Sequence, residues 1–243
     1  MSKTVRIRRY TVAVNSGFAP CRFMHSNGAY APTNLMTLAN CMADMRRVVH
    51  VGEWVAGVTP KRRTIPSKLA FLMKVDGECR REEYWEEFEG SRLDCIYRPN
   101  QKAKFGFEQL PNPWHGADEL AMDMKCHRIL CSTKFYWFAQ SYNRKTKAPQ
   151  GLPLLPEYPE YGKLALSQRS MYGGFCELPE TFLQWVSEQD QLDSDSFSVL
   201  DGKKSLETLP DCPRTSCVRA SPIATTPKRK ASCVQAHSAP GDC

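Results

Sequence analysis

This sequence predicts an α+β domain: a small, curved, mixed β-sheet with flanking helices, then a C-terminal tail without regular structure. Three observations carry the prediction. Residues 36–75, MTLANCMADMRRVVHVGEWVAGVTPKRRTIPSKLAFLMKV, pass from helical to strand-like patterning within one run. The 243-residue chain is 42% hydrophobic, enough to build a core. Beyond residue 190, Ser, Asp, Pro, Thr and Lys replace bulky side chains, a composition that buries too little to fold. One domain is therefore expected over residues 1–189 and a disordered tail over 190–243.

Each element follows from its local pattern. Residues 6–14 (RIRRYTVAV) read as an opening strand with Tyr10, Val12 and Val14 on one face. Ser16-Gly17 and Ala19-Pro20 impose a turn, and residues 22–32 read as a Gly- and Pro-bounded loop. Leu35, Leu38, Met42, Met45 and Val49 recur at steps of three and four, which predicts a helix over residues 35–49 capped by Asn34. Gly52 can turn the chain out of that helix because it tolerates positive φ. Residues 54–58 then alternate as a strand with one buried face, and residues 69–75 read as a strand covered on both.

Residues 80–89 (RREEYWEEFE) predict a helix packing through Tyr84, Trp85 and Phe88. A short strand over 94–100 leads into a loop that carries Trp114 and His115. Residues 127–138 (HRILCSTKFYWF) predict two strands around Ser132-Thr133-Lys134. Phe135, Tyr136, Trp137 and Phe138 cannot all face one way in a strand, so one pair points into the core and one away. Prolines at 149, 153, 156 and 159 exclude regular structure over 147–161. Residues 178–189 predict a last helix, with Pro179 near its first position and Phe182, Leu183 and Val186 inward.

The charge is basic and uneven. Lys and Arg number 33 against 26 Asp and Glu, a formal net charge of +7. Up to Lys74 the only acids are Asp44 and Glu53, whereas residues 76–89 reverse the balance. This asymmetry favours a polyanionic partner, a nucleotide or DNA, over an indifferent surface. No apolar run long enough for a signal peptide or membrane span occurs, so a cytoplasmic protein without membrane contact is expected. Reduced thiols are then the default for the 11 cysteines. No CxxC pair occurs, and Cys126, His127 and Cys131 lack the paired knuckles of a zinc site, so no metal is expected. No Gly-rich phosphate loop, Ser-His-Asp order or deaminase pattern is present. The cofactor is unspecified.

In order along the chain, YTVAVNSGFAP, TLANC, MRRVVHVGEWVAG, LAFLMKV, EEYW and IYR, and later HRILCSTKFYWF, resemble the nucleotide modification associated domain 2 family of bacteria and phages. The likeness covers about two thirds of the chain. It implies association with systems that alter nucleobases. The chain departs from the family pattern at Asn15, where an acid is usual, at Cys21, where Asn is common, and at Glu53 in the Gly-Asp-Trp turn. Asn15 puts in doubt any mechanism needing a carboxylate there. Cys41 matches the family's cysteine. The HVGEWVAG and LAFLMKV segments also resemble the core of PUA-like domains, including the EVE type. That likeness implies a small, curved, mixed barrel whose mouth can hold one flipped base.

Two readings of function follow. In the first, the protein modifies a base in a nucleotide or DNA, with Cys41 as a nucleophile if its pKa were lowered, or His115 and His127 as acid–base groups. Asn15, Phe18, Arg46, Arg47, Trp54, Lys61, Arg62, Arg63, Tyr97, Arg98 and Tyr136 form the expected nucleic-acid-binding set: aromatics for the base, cations for phosphate. In the second, the same surface reads a modified base in DNA or RNA without catalysis. A third reading is a protein-interaction component of a phage or defence system. Each residue also has a plain structural role open to it: Trp54 as core, Cys41 as buried filler, the basic turn as solvated surface.

Overall fold

The computed structural model of the protein describes residues 3–12, 18–26, 29–61, 66–112, 115–138, 152–153, 159–166 and 172–194. Among these, the chain runs β1 (Thr4–Thr11), β2 (Cys21–Ser26), β3 (Ala29–Leu38), α1 (Ala43–Val48), β4 (Trp54–Val58), β5 (Lys68–Lys74), β6 (Gly77–Arg80) and α2 (Arg81–Phe88). It continues through β7 (Tyr97–Pro99), β8 (Phe107–Gln109), α3 (Leu120–Asp123), β9 (Arg128–Ser132), β10 (Lys134–Trp137), β11 (Leu152–Pro153), β12 (Tyr172–Pro179) and α4 (Thr181–Ser194). The architecture is α+β, mostly strand.

The expected barrel is not there: the described strands form three open sheets. The first has the order β10-β5-β4-β1-β12, with β11 also paired to β5; the second is β2-β3-β9-β6; the third is the β7–β8 hairpin. The first sheet is mixed, because β1 runs parallel to β4 while its other pairings are antiparallel. Its edge strands β10 and β12 never meet. A physical reason is visible in the packing. On one face, Ile7, Trp54, Ala56, Val58 and Leu72 lie against Tyr161, Leu164 and, from α4, Phe182, Trp185 and Val186. On the other, Val55, Phe71, Met73 and Trp137 pack on Met36, Leu38, Met45 and Leu130. Separate layers cover the two faces, so the sheet needs no closure to bury them.

The two larger sheets share a ribbon. β5 pairs with β10, and beyond Asp76 the same two chain segments continue as β6 paired with β9. At the bend, the Asp76 carboxylate accepts hydrogen bonds from the backbone N–H (2.7 Å) and hydroxyl (2.6 Å) of Thr133. The four-aromatic run divides as alternation requires. Phe135 and Trp137 face the second sheet, and Tyr136 and Phe138 face the α4 layer, so both pairs are covered. β5 is buried on both faces as expected, and so is β4, where one buried face was predicted. At Gly57 a Cβ would collide with the Phe71 ring and lie 2.6 Å from Val12.

Several expectations are corrected. Residues 34–38 are not the start of a helix but the end of β3, and α1 is confined to Ala43–Val48. Leu38 fits the helical spacing from Leu35 and also, with Met36, a period of two, and pairing with β2 and β9 decides between them. The helical period breaks at Cys41 and Met42, both in the left-handed region (φ 59° and 48°). Residues 22–32, read as loop, supply β2 and the start of β3. Pro179 ends β12 rather than opening a helix, and Pro159–Leu164 form a 3-10 turn. Helix α4 extends to Ser194, past the expected boundary at 189; residues 195–243 lie outside the described residues. Gly52, at φ 94°, makes the expected turn and donates its N–H to the Val75 carbonyl (2.7 Å).

Candidate active site

Asp123, at the end of α3, is 1% exposed, and its carboxylate is where four separated segments meet. Oδ1 accepts the backbone N–H of Cys41 at 2.6 Å. Oδ2 accepts the Tyr97 hydroxyl at 2.9 Å and lies 2.7 Å from His115 Nε2. Arg46 Nη2 stands 3.8 Å from Oδ1. Burial would raise the Asp123 carboxyl; the His115 hydrogen bond and the charges of Arg46, His115 and Arg81 more than offset it, holding the group below its ordinary pKa.

His115 is 5% exposed and has a carboxylate at each end of its ring. Nδ1 lies 2.9 Å from Glu119 Oε2, and the Glu119 side chain remains 47% exposed. The same Glu119 oxygen accepts the Gly116 N–H, which opens the 3-10 turn leading into α3. A neutral imidazole carries one N–H, so both contacts are hydrogen bonds only when the ring carries two protons or a carboxyl carries one. His115 thus joins a half-exposed acid to a buried one. Phe18 packs against its ring (centroids 5.2 Å), and Tyr97 meets it edge-on at 6.4 Å.

Two buried guanidiniums flank the carboxylate. Arg46, on α1, is 0% exposed and donates to the carbonyls of Cys41 (2.9 Å), Cys126 (2.7 Å), Arg128 (2.5 Å) and Asp123 (3.3 Å). It clamps the strained Cys41–Met42 turn from one side while Asp123 holds it from the other. Arg81, at the start of α2, donates to Asn40 Oδ1 (3.0 Å) and the Ala39 carbonyl (2.8 Å) and stacks over the Tyr97 ring at 4.6 Å. Its buried Nε has no partner among the described residues. Burial, then the Arg46 charge, lowers Arg81 to about 10, so it stays a cation at neutral pH. Two guanidiniums thus face the buried Asp123 carboxylate, with the Glu119 carboxylate at the half-exposed edge of the site.

The acids beside Asp123 are held protonated. Burial first, then the Asp123 and Glu119 charges, pushes the Cys41 thiol up to about 12, the opposite of what a thiolate nucleophile needs. Burial and Asp123 likewise push the Tyr97 phenol far up. Both groups are hydrogen-bond donors at neutral pH. A second polar knot lies behind them. Asp94 accepts Thr37 Oγ1 (2.7 Å) and Tyr84 Oη (2.7 Å), and Arg92 donates to Tyr84, Thr37 and the Cys21 carbonyl.

Of the residues singled out from sequence, Cys41, His115, Phe18, Tyr97 and Arg46 converge here. Trp54 does not: it is buried on the α4 face of the first sheet, stacked on Tyr136 at 6.2 Å with Lys134 Nζ 5.8 Å from its ring. His127 lies elsewhere, 3.8 Å from Glu82 and edge-on to Phe107. Arg47 is at the surface, donating to the Lys125 carbonyl and pairing with Asp44. Arg98 is exposed and paired with Glu108, and Lys61 is exposed. Asn15, Arg62 and Arg63 lie outside the described residues, as does Trp114.

Asp123, Glu119 and Arg81 escaped the sequence reading. A signal did exist: His115, Glu119 and Asp123 are spaced at i, i+4 and i+8, and Asp123 is a single acid between Met122 and Met124.

A family model described as nucleotide modification associated domain 2 matches residues 4–152, more than half of the chain and the span that contains every residue of this centre. No curated protein and no solved structure gives a match.

Proposed function

The chain belongs to the nucleotide modification associated domain 2 family, and from that premise we propose that it binds a nucleotide at the Asp123 centre and moves a proton on the base, with His115 as the acid–base group. One observation carries this reading: His115 is buried, with a carboxylate within 3 Å of each ring nitrogen. Glu119 offers the ring a route to solvent, and Asp123 orients it, the arrangement general acid–base catalysis uses. The buried Arg46 and Arg81 charges suit an anionic ligand. Phe18 and Tyr97, both buried, pack against the His115 ring. Arg47 and Lys61, with Asn15, Arg62 and Arg63, are the proposed outer phosphate contacts.

The test is chemical. The protein is incubated with mononucleotides and with single- and double-stranded DNA in a small-molecule cell extract, and the nucleosides are examined by mass spectrometry. A nucleoside of altered mass is expected with the wild type and not with His115→Gln. Absence of any product under all these conditions would remove the acid–base role.

A second reading, a non-catalytic reader of a modified base, has its own support. The Cys41 thiol is kept as a neutral donor, suited to hydrogen-bonding a base edge rather than attacking it. Under that reading no product forms, yet His115→Gln abolishes nucleotide binding.

A further inference from the structure

The β7–β8 hairpin grows directly out of the proposed site, since Tyr97, its first residue, bonds Asp123. Its tip is unlike the surface around it. Residues 98–108 (RPNQKAKFGFE) hold Arg98, Lys102 and Lys104 and one acid, Glu108, which pairs with Arg98. Phe105 stands near the turn, 43% exposed, with Lys104 Nζ 5.1 Å from its ring centroid. The loop that presents it is tightly bonded: Asn100 N–H donates to the Gly106 carbonyl, Ala103 N–H to Asn100 and Gly106 N–H to Ala103, while Asn100 Oδ1 accepts the Lys102 N–H. Phe105 (φ 65°) and Gly106 (φ 75°) are both left-handed. An aromatic ring is thus held partly in solvent beside a cation. Phe107, opposite Pro99 at the loop end of the ladder, is buried and packed on His127.

We infer that this hairpin is a base-stacking finger, and that the ligand of the Asp123 centre is a nucleotide within a single strand of nucleic acid rather than a free mononucleotide. The inference rests on the proposed function and extends it to a polymer. Phe105 stacks on a base and Lys102 and Lys104 meet the neighbouring phosphates, the combination that binds single strands without sequence preference. Asn100, where the tip loop begins, lies three residues beyond Tyr97, roughly 10 Å at the usual rise. That is the span of about three stacked nucleotides at ~3.4 Å each. The finger therefore engages only strands longer than about that length.

The test measures affinity against length, using 5′-labelled oligothymidylates and oligouridylates of two to ten nucleotides. Wild-type affinity is expected to rise about tenfold as length passes about three to four nucleotides, the contribution of one base–aromatic stack. Phe105→Leu removes that step and Phe105→Tyr restores it, with mononucleotide affinity unchanged in both. Replacing Lys102 and Lys104 by Gln lowers the slope of log affinity against log salt by about 0.7 per charge for the longer strands. If Phe105→Leu keeps the wild-type step, or weakens mononucleotides as much as long strands, the finger is overturned. His115→Gln separates the two claims: it lowers affinity at every length if the Asp123 centre binds the nucleotide. If it changes nothing while Phe105→Leu still removes the step, the site reading fails and the finger stands. DNA and RNA arms that differ show which sugar the strand carries.

Discussion

The β4–β5 hairpin and the Asp123 centre are equally inaccessible, yet different physics holds them. Every side chain from Trp54 to Val58 is buried, and hydrocarbon lies on both faces of the sheet. Such packing is non-directional, and its stabilisation scales with area. Around Asp123, by contrast, each contact is directional and each partner arrives on a different segment: Cys41 from the β3–α1 turn, Arg46 from α1, Tyr97 from β7, His115 from the loop before α3. A hydrocarbon core absorbs a volume-conserving change at modest cost. A buried charge loses its balance when one partner goes. The protein thus has a robust half that sets the scaffold and a brittle half that carries the chemistry.

The largest break in that comparison should come from Asp123→Ala. It leaves the Arg46 guanidinium without its carboxylate and the Cys41 N–H unpaired, at an expected cost of about 3 kcal/mol or more in urea unfolding. The wild type should also show an acid limb that Asp123→Asn flattens. The folded carboxyl has a depressed pKa, so the stability it contributes is complete above the unfolded value near pH 3.9 and is lost as pH falls through the lower folded value. Stability profiles of the two proteins below pH 4 check this.

Gly57→Ala probes the other half. The added methyl group meets the Phe71 ring and Val12, and overpacking should cost about 1–3 kcal/mol. A cost above that of Asp123→Ala would reverse the ranking of the two regions. The smallest effect is kinetic. With its thiol pushed up to about 12, Cys41 should be alkylated by iodoacetamide at pH 8 far more slowly than glutathione, by peptide-resolved mass spectrometry. Glu119→Gln, which removes one of the charges raising the thiol, should speed it modestly. A fast wild-type rate would restore Cys41 as a nucleophile.

The same contrast decides what the sequence revealed. β4, β5, α2, β9 and β10 were legible because hydrocarbon burial writes its period directly into the chain. The helix expected over residues 35–49 failed because Leu38 fits two periods, and the pairing of β3 with β2 and with the distant β9 settles which holds. Cys41, Tyr97 and His115 stood out by residue type, but nothing local showed that they share one carboxylate. Asp123 did not stand out at all, since what makes it central is contributed by residues up to 82 positions away. The arginines divided for the same reason. Arg46 and Arg47 are neighbours in the same basic cluster, yet one is an internal clamp and the other faces solvent, a matter of helix face and partner rather than composition.

The most direct test of the central claim is the ring ¹⁵N chemical shifts of His115 during titration with the common nucleoside 5′-monophosphates and a thymidine decamer, with assignment by His115→Gln. Occupation of the Asp123 centre should move both His115 nitrogens in proportion to bound ligand while His50 and His127 stay in place. A ligand that saturates the protein while the His115 resonances remain still would contradict the account.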